Sequence, residues 1–138
     1  MADSQPGKPP VRRVLLAEDD EVNRFVATSI LLQSGYAVEG VTDGADAVRL
    51  ARQTRYDEVL MDCEMAEVDG FEATAQIRAD EAARGQKRVP IVALTAHAMQ
   101  GDREDCLADG MDDYLAKPFK QQSLRDMLEK WAGPAVAG

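Results

Sequence analysis

Aromatic side chains make up only 5% of the chain, with a single tryptophan, so no core of stacked rings is available and Val, Leu, Ile, Ala and Met must fill the interior. Cysteine is almost as scarce. Cys63 and Cys106 lie far apart and form no CxxC pair, which argues against a zinc ribbon or a disulfide framework and makes a reducing compartment the simplest setting. No apolar run approaches the ~20 residues of a membrane span, and the leader MADSQPGKPP has no apolar h-region. Basic residues are outnumbered, 16 Lys and Arg against 25 Asp and Glu, giving a formal net charge of −9. That balance disfavours nucleic acid or an anionic membrane as a direct partner, since both need a basic face. A cation is the more natural small ligand.

What is present is enough for one folded unit: 138 residues, 45% of them hydrophobic. Residues 1–10 read as a disordered leader or linker and 133–138 as a flexible tail. Between them, apolar runs and amphipathic segments alternate. RVLLA (13–17) reads as a buried strand; 21–34 carries Val22, Phe25, Val26, Ser29 and Ile30 at helical spacing and stops at Gly35. AVEGV (37–41) alternates like a half-buried strand, and 44–54 is a helix with Ala45, Val48 and Ala51 inward. EVLM (58–61) is a third strand, followed by a turn and helix over 69–85. VPIVALT (89–95) is apolar throughout, as a strand in the middle of a parallel sheet should be. A weakly patterned helix follows over about 97–109, with Ala98, Cys106 and Leu107 as its inward candidates, then a strand over 111–116. Leu124, Met127, Leu128 and Trp131 form the stripe of a last helix. Five strand–helix units predict an α/β protein: an open parallel sheet with helices on both faces.

Such sheets bind ligands beyond the carboxyl ends of their strands, where the strand order reverses. Four of those ends carry reactive groups. The first strand ends in Glu18, Asp19 and Asp20, the third in Asp62, the fourth in Thr95, and the fifth in Lys117 followed by Pro118. Asp19 is also placed to cap the helix that follows. Convergent carboxylates repel: two unit charges ~5 Å apart at an effective dielectric of ~20 cost roughly 3 kcal/mol. All-oxygen donors with no His or Cys cluster point to Mg²⁺ as the neutralising ion. With Glu18, Asp19 and Asp62 ionised, one Mg²⁺ and Lys117 bring the pocket to about neutral. A carboxylate nucleophile, a Lewis acid, a hydroxyl and an ammonium make a phosphoryl-acceptor set.

The segments LLAEDDEVNRF, LMDCEMAEVDGFEA, ALTAHAM and DDYLAKPF, in that order over roughly residues 11–131, resemble the motifs of two-component response-regulator receiver domains. The resemblance implies a receiver unit over 11–132 with a doubly wound, flavodoxin-like sheet of five parallel strands in the order 2-1-3-4-5. Asp62 then corresponds to the phosphoacceptor and Asp19 to a direct Mg²⁺ ligand. Glu18 matches the other member of the acidic pair, Asp20 has an auxiliary place, and the Glu64 backbone carbonyl is a further metal ligand. Thr95 and Lys117 would contact the phosphoryl group, Thr95 and Tyr114 would form the switch, and the Lys117–Pro118 bond would be cis. Glu64 and His97 occupy positions that tune the lifetime of the phosphorylated form. The loop after the acceptor departs from the family at Ala66, where proline is usual.

EDDEVNRF and LTAHAM resemble most the receivers of hybrid sensor histidine kinases. That implies a histidine kinase core or a histidine phosphotransfer domain as partner, a cytoplasmic location and a phosphoacceptor rather than an enzyme. The signalling surface would be the fourth helix, fifth strand and fifth helix. No output module follows Trp131 in this sequence. Two other readings remain at this stage. One is a receiver-like binding module that accepts no phosphate. The other is a phosphoaspartyl hydrolase of the haloacid dehalogenase type, which wants a second aspartate where Glu64 stands.

Overall fold

The computed structural model describes residues 11–65, 68–96 and 100–134, residues 100–103 by their backbone alone. Expectations for the leader (1–10), for Ala66, His97, Ala98 and Met99, and for the end of the tail (135–138) fall outside the described residues. Five strands, β1 (Arg13–Ala17), β2 (Ala37–Val41), β3 (Glu58–Asp62), β4 (Ile91–Thr95) and β5 (Asp113–Ala116), alternate with five helices. These are α1 (Glu21–Gln33), α2 (Gly44–Gln53), α3 (Gly70–Arg84), α4 (Gln100–Ala108) and α5 (Gln121–Trp131). The strands form one sheet in the order β2-β1-β3-β4-β5, and every pairing is parallel.

The first three helices start where an aspartate side chain takes an otherwise orphaned N–H: Asp20 accepts from Asn23, Asp43 from Asp46, and Asp69 from Glu72. α3 ends at Gly85, whose φ of 63° is the left-handed conformation that closes a helix without strain. β3 and β4 are buried along their whole length. They separate two cores. One packs Ala27, Ile30 and Leu31 of α1 and Leu124 and Leu128 of α5 against one face of the sheet. The other packs Ala47, Val48, Ala73, Ile77 and Cys106 against the opposite face.

Several local expectations are corrected. On α1, Val22, Phe25 and Val26 point to solvent, with exposures of 69%, 71% and 40%, while Ile30 of the expected stripe does face the sheet, together with Ala27 and Leu31. α1 thus carries two apolar stripes, one against the sheet and one at the surface. On α2, Val48 is buried and Ala51 packs against the core as expected, but Ala45 is exposed and Ala47 takes the inward place. Leu107 of α4 is likewise exposed, and among the described side chains of that helix Cys106 is the inward one. The fifth strand begins at Asp113 rather than 111, because Gly110, with φ at 102°, turns the chain there; Met111 is nevertheless buried.

At the end of the sheet opposite to the strand exits, Arg78 of α3 ties three segments together. Its guanidinium donates to Gly110 O (2.9 Å), Val89 O (2.8 Å), Glu81 Oε1 (2.9 Å) and Asp112 Oδ2 (2.9 Å). Glu81 and Asp112 in turn accept from the N–H groups of Val89 and Ile91, so the entry to β4 is fixed through charged side chains.

Candidate functional site

Asp62 closes β3, a strand with neighbours on both sides, and lies in register with Leu94 of β4. It is only 1% exposed. Its Oδ1 receives two donors, Lys117 Nζ at 3.0 Å and the Glu64 N–H at 3.0 Å. The chain after Asp62 must leave room for a helix to begin against the strand end. Gly70 provides it: a Cβ there would sit 2.3 Å from the Asp62 carbonyl oxygen, so only glycine permits this approach.

Glu18 lies directly beyond β1, and its N–H continues the ladder to Val41 O at 3.0 Å. The side chain is fully buried, with Oε1 2.8 Å from Lys117 Nζ and Oε2 accepting the Asp20 N–H at 3.1 Å. Burial pushes the Glu18 pKa up to about 7; hydrogen bonding with Asp62 adds to this, and Lys117 and Asp20 pull against it. Asp19 is exposed. The helix cap expected of Asp19 belongs instead to Asp20, whose Oδ2 takes the Asn23 N–H at 2.8 Å, which accounts for Asp20 structurally.

Carboxylate oxygens of Glu18, Asp19 and Asp62 all lie within 4.8 Å of one another. Lys117 offsets one of these charges through its two ion pairs. Burial alone would lower the Lys117 pKa, but the pairing with Glu18 and Asp62 outweighs it and holds the value above that of an ordinary lysine. A formal charge of about −2 is left on oxygen donors alone. This donor set fits a hard divalent cation such as Mg²⁺ in both charge and chemistry.

The other strand exits fall where the topology predicts. Thr95 ends β4, is buried, and pairs with Ala116; its carbonyl accepts the Lys117 N–H at 2.8 Å. The Lys117–Pro118 peptide is cis, as expected. Tyr114, in register with Ala93, is half-buried against the core on the α2–α4 side of the sheet. Glu64 is exposed beside Asp62. The two cysteines, distant in sequence, meet in that same core as free thiols, and burial pushes the Cys63 pKa well up. Three charged residues were missed by sequence reasoning. Arg24 donates from Nη1 to Glu18 O (2.9 Å) and Asp19 O (3.4 Å). Arg78 forms the knot described above. Glu58 is fully buried at the start of β3, with neither carboxyl oxygen satisfied among the described residues. Strand parity held a signal for Glu58, since it shares a face with Leu60 in a strand whose neighbours on both sides are buried.

A family model for the response regulator receiver domain matches residues 14–129. This chain belongs to the response-regulator receiver family. Its receiver fold is similar to the crystal structure of the receiver domain of sensor histidine kinase PA1611 from Pseudomonas aeruginosa, described with a magnesium ion coordinated in the active-site cleft. The identity is 52%, with 90% of this chain and 99% of that one covered and a TM-score of 0.80. The receiver domain of Ssk1 from Saccharomyces cerevisiae, solved in complex with the histidine phosphotransfer protein Ypd1, is similar at 31% identity, with 89% and 90% coverage and a TM-score of 0.85. Among curated proteins, the sensor protein GacS of Pseudomonas syringae is 44% identical over 124 residues, which is 90% of this chain but 14% of that protein. The receiver thus spans about one seventh of that relative. Its role is that of a receiver domain in two-component phosphorelay signalling. Among the described residues no helix is long and apolar enough to cross a membrane.

Proposed function

We propose that Asp62 accepts a phosphoryl group from a phosphohistidine, with Mg²⁺ held by Glu18, Asp19, Asp62 and the Glu64 backbone carbonyl. The observation that carries this reading is the meeting of Lys117, Glu18 and Asp62 within ion-pair distance at the end of a central strand. Lys117 and the Glu64 N–H both engage Oδ1 of Asp62, which leaves Oδ2 as the attacking oxygen. The P–N bond to the donor imidazole breaks as the P–O bond to Oδ2 forms. Bound Mg²⁺ supplies charge neutralisation on the transferring oxygens. Lys117 offers a second cation to the same group, and Thr95 a hydroxyl.

Phosphorylation adds about −1.5 to −2 charges. Thr95 and Lys117 move toward that charge, Tyr114 follows Thr95 inward, and the α4–β5–α5 face repacks as the signalling surface. The thin apolar anchoring among the described side chains of α4, with Cys106 inward and Leu107 exposed, supports that choice, because weakly anchored elements reorganise at low cost. Glu64 and His97 tune access of hydrolytic water to the acyl phosphate. Residues 11–132 act as one phosphoacceptor unit rather than a turnover enzyme, in the cytoplasm. The partners are a histidine kinase core or a histidine phosphotransfer domain, with no nucleic acid.

The docking face for that donor is α1. Val22, Phe25 and Leu32 form an exposed stripe, with Val26 beside it, leading to the acidic turn at Asp19. A receiver bound to a histidine phosphotransfer protein, as in the yeast complex, supports this class of partner. Intact-mass analysis after incubation with acetyl phosphate tests the acceptor directly. One added phosphoryl group, dependent on Mg²⁺ and lost in Asp62→Ala, is the expected result. No adduct, together with a blank beryllofluoride titration, would leave a binding module that takes no phosphate.

A further inference from the structure

The turn between β1 and α1 carries two of the proposed cation ligands, and they are held differently. Glu18 is fixed by its own carboxylate contacts to Lys117 and the Asp20 N–H. Asp19 is exposed, and its carboxylate makes no hydrogen bond among the described residues, so the peptide planes on either side of it set the direction in which its side chain leaves the backbone. Those planes have their carbonyls, Glu18 O and Asp19 O, at 2.9 Å and 3.4 Å from one nitrogen, Nη1 of Arg24. Arg24 itself is anchored. Its N–H closes the first turn of α1 onto Asp20 O at 2.9 Å, and its stem crosses β2 at Gly40, where Cδ lies 3.7 Å from the place a Cβ would occupy.

We infer that Arg24 is a positioning residue for the cation site: by gripping the backbone of the acidic pair it aims Asp19 at the position shared with Glu18 and Asp62. The inference rests on the Mg²⁺ site proposed above. Its guanidinium never touches the cation; it acts through the peptide planes. Simple electrostatics makes the opposite prediction. A cation beside three carboxylates repels a divalent ion, so removing it should tighten Mg²⁺ binding. Positioning makes its removal weaken binding, by about tenfold if it behaves like other groups that orient metal ligands. The sign of the change separates the two.

Isothermal titration of Mg²⁺ into the protein, for wild type, Arg24→Ala, Arg24→Gln and Arg24→Lys, reads that sign. Urea unfolding in EDTA is run beside it, with Arg49→Ala as a charge control, since Arg49 is exposed and among the described residues pairs only with Asp46. The expected result is a roughly tenfold loss in Arg24→Ala and Arg24→Gln, a smaller loss in Arg24→Lys, whose ammonium is a point donor, and no change in Arg49→Ala. The metal-free unfolding midpoint should hold for Arg24→Lys. In an Asp19→Ala background, Arg24→Ala should add nothing further, because Arg24 works through Asp19. Unchanged or tighter Mg²⁺ binding in the Arg24 variants overturns the inference, as does full additivity with Asp19→Ala. If the wild-type protein itself takes up no Mg²⁺, the cation site fails, a result distinct from loss confined to the variants.

Discussion

Glu58 should make this receiver less stable as pH rises, and replacing it with glutamine should remove that dependence. The side chain is fully buried at the start of β3, on the face covered by α1 and α5. Burial pushes its pKa from an ordinary 4.5 up to about 9; the nearby Ala132 N–H offsets a little of this, and Asp113 adds repulsion. A raised acid pKa means the folded chain keeps a proton that the unfolded chain has released. No cost is felt below pH 4.5, where both states are protonated. The cost then grows by about 1.4 kcal/mol per pH unit, reaches about 3 kcal/mol at pH 7 and levels off above pH ~9 at a ceiling of roughly 6 kcal/mol. Chain relaxation and water entry lower that ceiling. Glu58→Gln keeps the shape and removes the titration, so its advantage over wild type should widen steadily between pH 5.5 and 8.5. Urea unfolding at four pH values measures this, followed by Trp131 fluorescence; Trp131 donates to Asp113 beside α5 and reports on that end of the core. Subtracting the variant cancels every other titrating group. A difference that stays flat with pH would refute the claim that Glu58 is buried as the neutral acid.

Arg78→Ala should lower unfolding stability by about 3–5 kcal/mol, because it strands the partly buried carboxylates of Glu81 and Asp112 along with two carbonyls. Thermal melts would measure it, and a loss under about 1 kcal/mol would mean that Arg88, which also reaches Asp112, carries the knot alone. Gly70→Ala drives a methyl against the Asp62 carbonyl, so a loss of about 1–3 kcal/mol is expected together with weakened acetyl phosphate labelling of Asp62. Intact labelling would mean that α3 can shift away without disturbing the acceptor. The double variant Val22→Ser, Phe25→Ser should leave the melting temperature and acetyl phosphate labelling within error. Transfer from a histidine phosphotransfer protein should slow, and an equal rate would move donor docking off α1.

Buried charge was the least legible feature in the sequence. Glu58 lies inside a strand marked by Val59, Leu60 and Met61, and only strand parity hinted that its side chain is enclosed. Arg78, Glu81 and Asp112 read as ordinary solvated charges, since residues up to 34 positions apart satisfy one another only after α3 and β5 have packed. The two stripes of α1 illustrate the same limit. Helical periodicity identified the element but not which stripe faces the sheet, because that depends on the space left by β1 and α5 rather than on hydrophobicity.

The sequence by itself determined the alternation of strands and helices, the parallel sheet, the acids and the lysine at its strand exits, and the family to which they belong. It could do so because hydrophobic period, glycine stops and strand-end motifs are local properties. Tertiary structure alone decided which oxygen of Asp62 is engaged, how far Lys117 is shared between Asp62 and Glu18, which aspartate caps α1, and that Arg24 closes the acidic turn from behind. Lys117 reaches Asp62 and Glu18 from a separate strand end at 3.0 and 2.8 Å, which no spacing along the chain encodes. The Asp20 cap and the Arg24 grip, by contrast, span only three and six residues and are selected by the path of the β1–α1 turn.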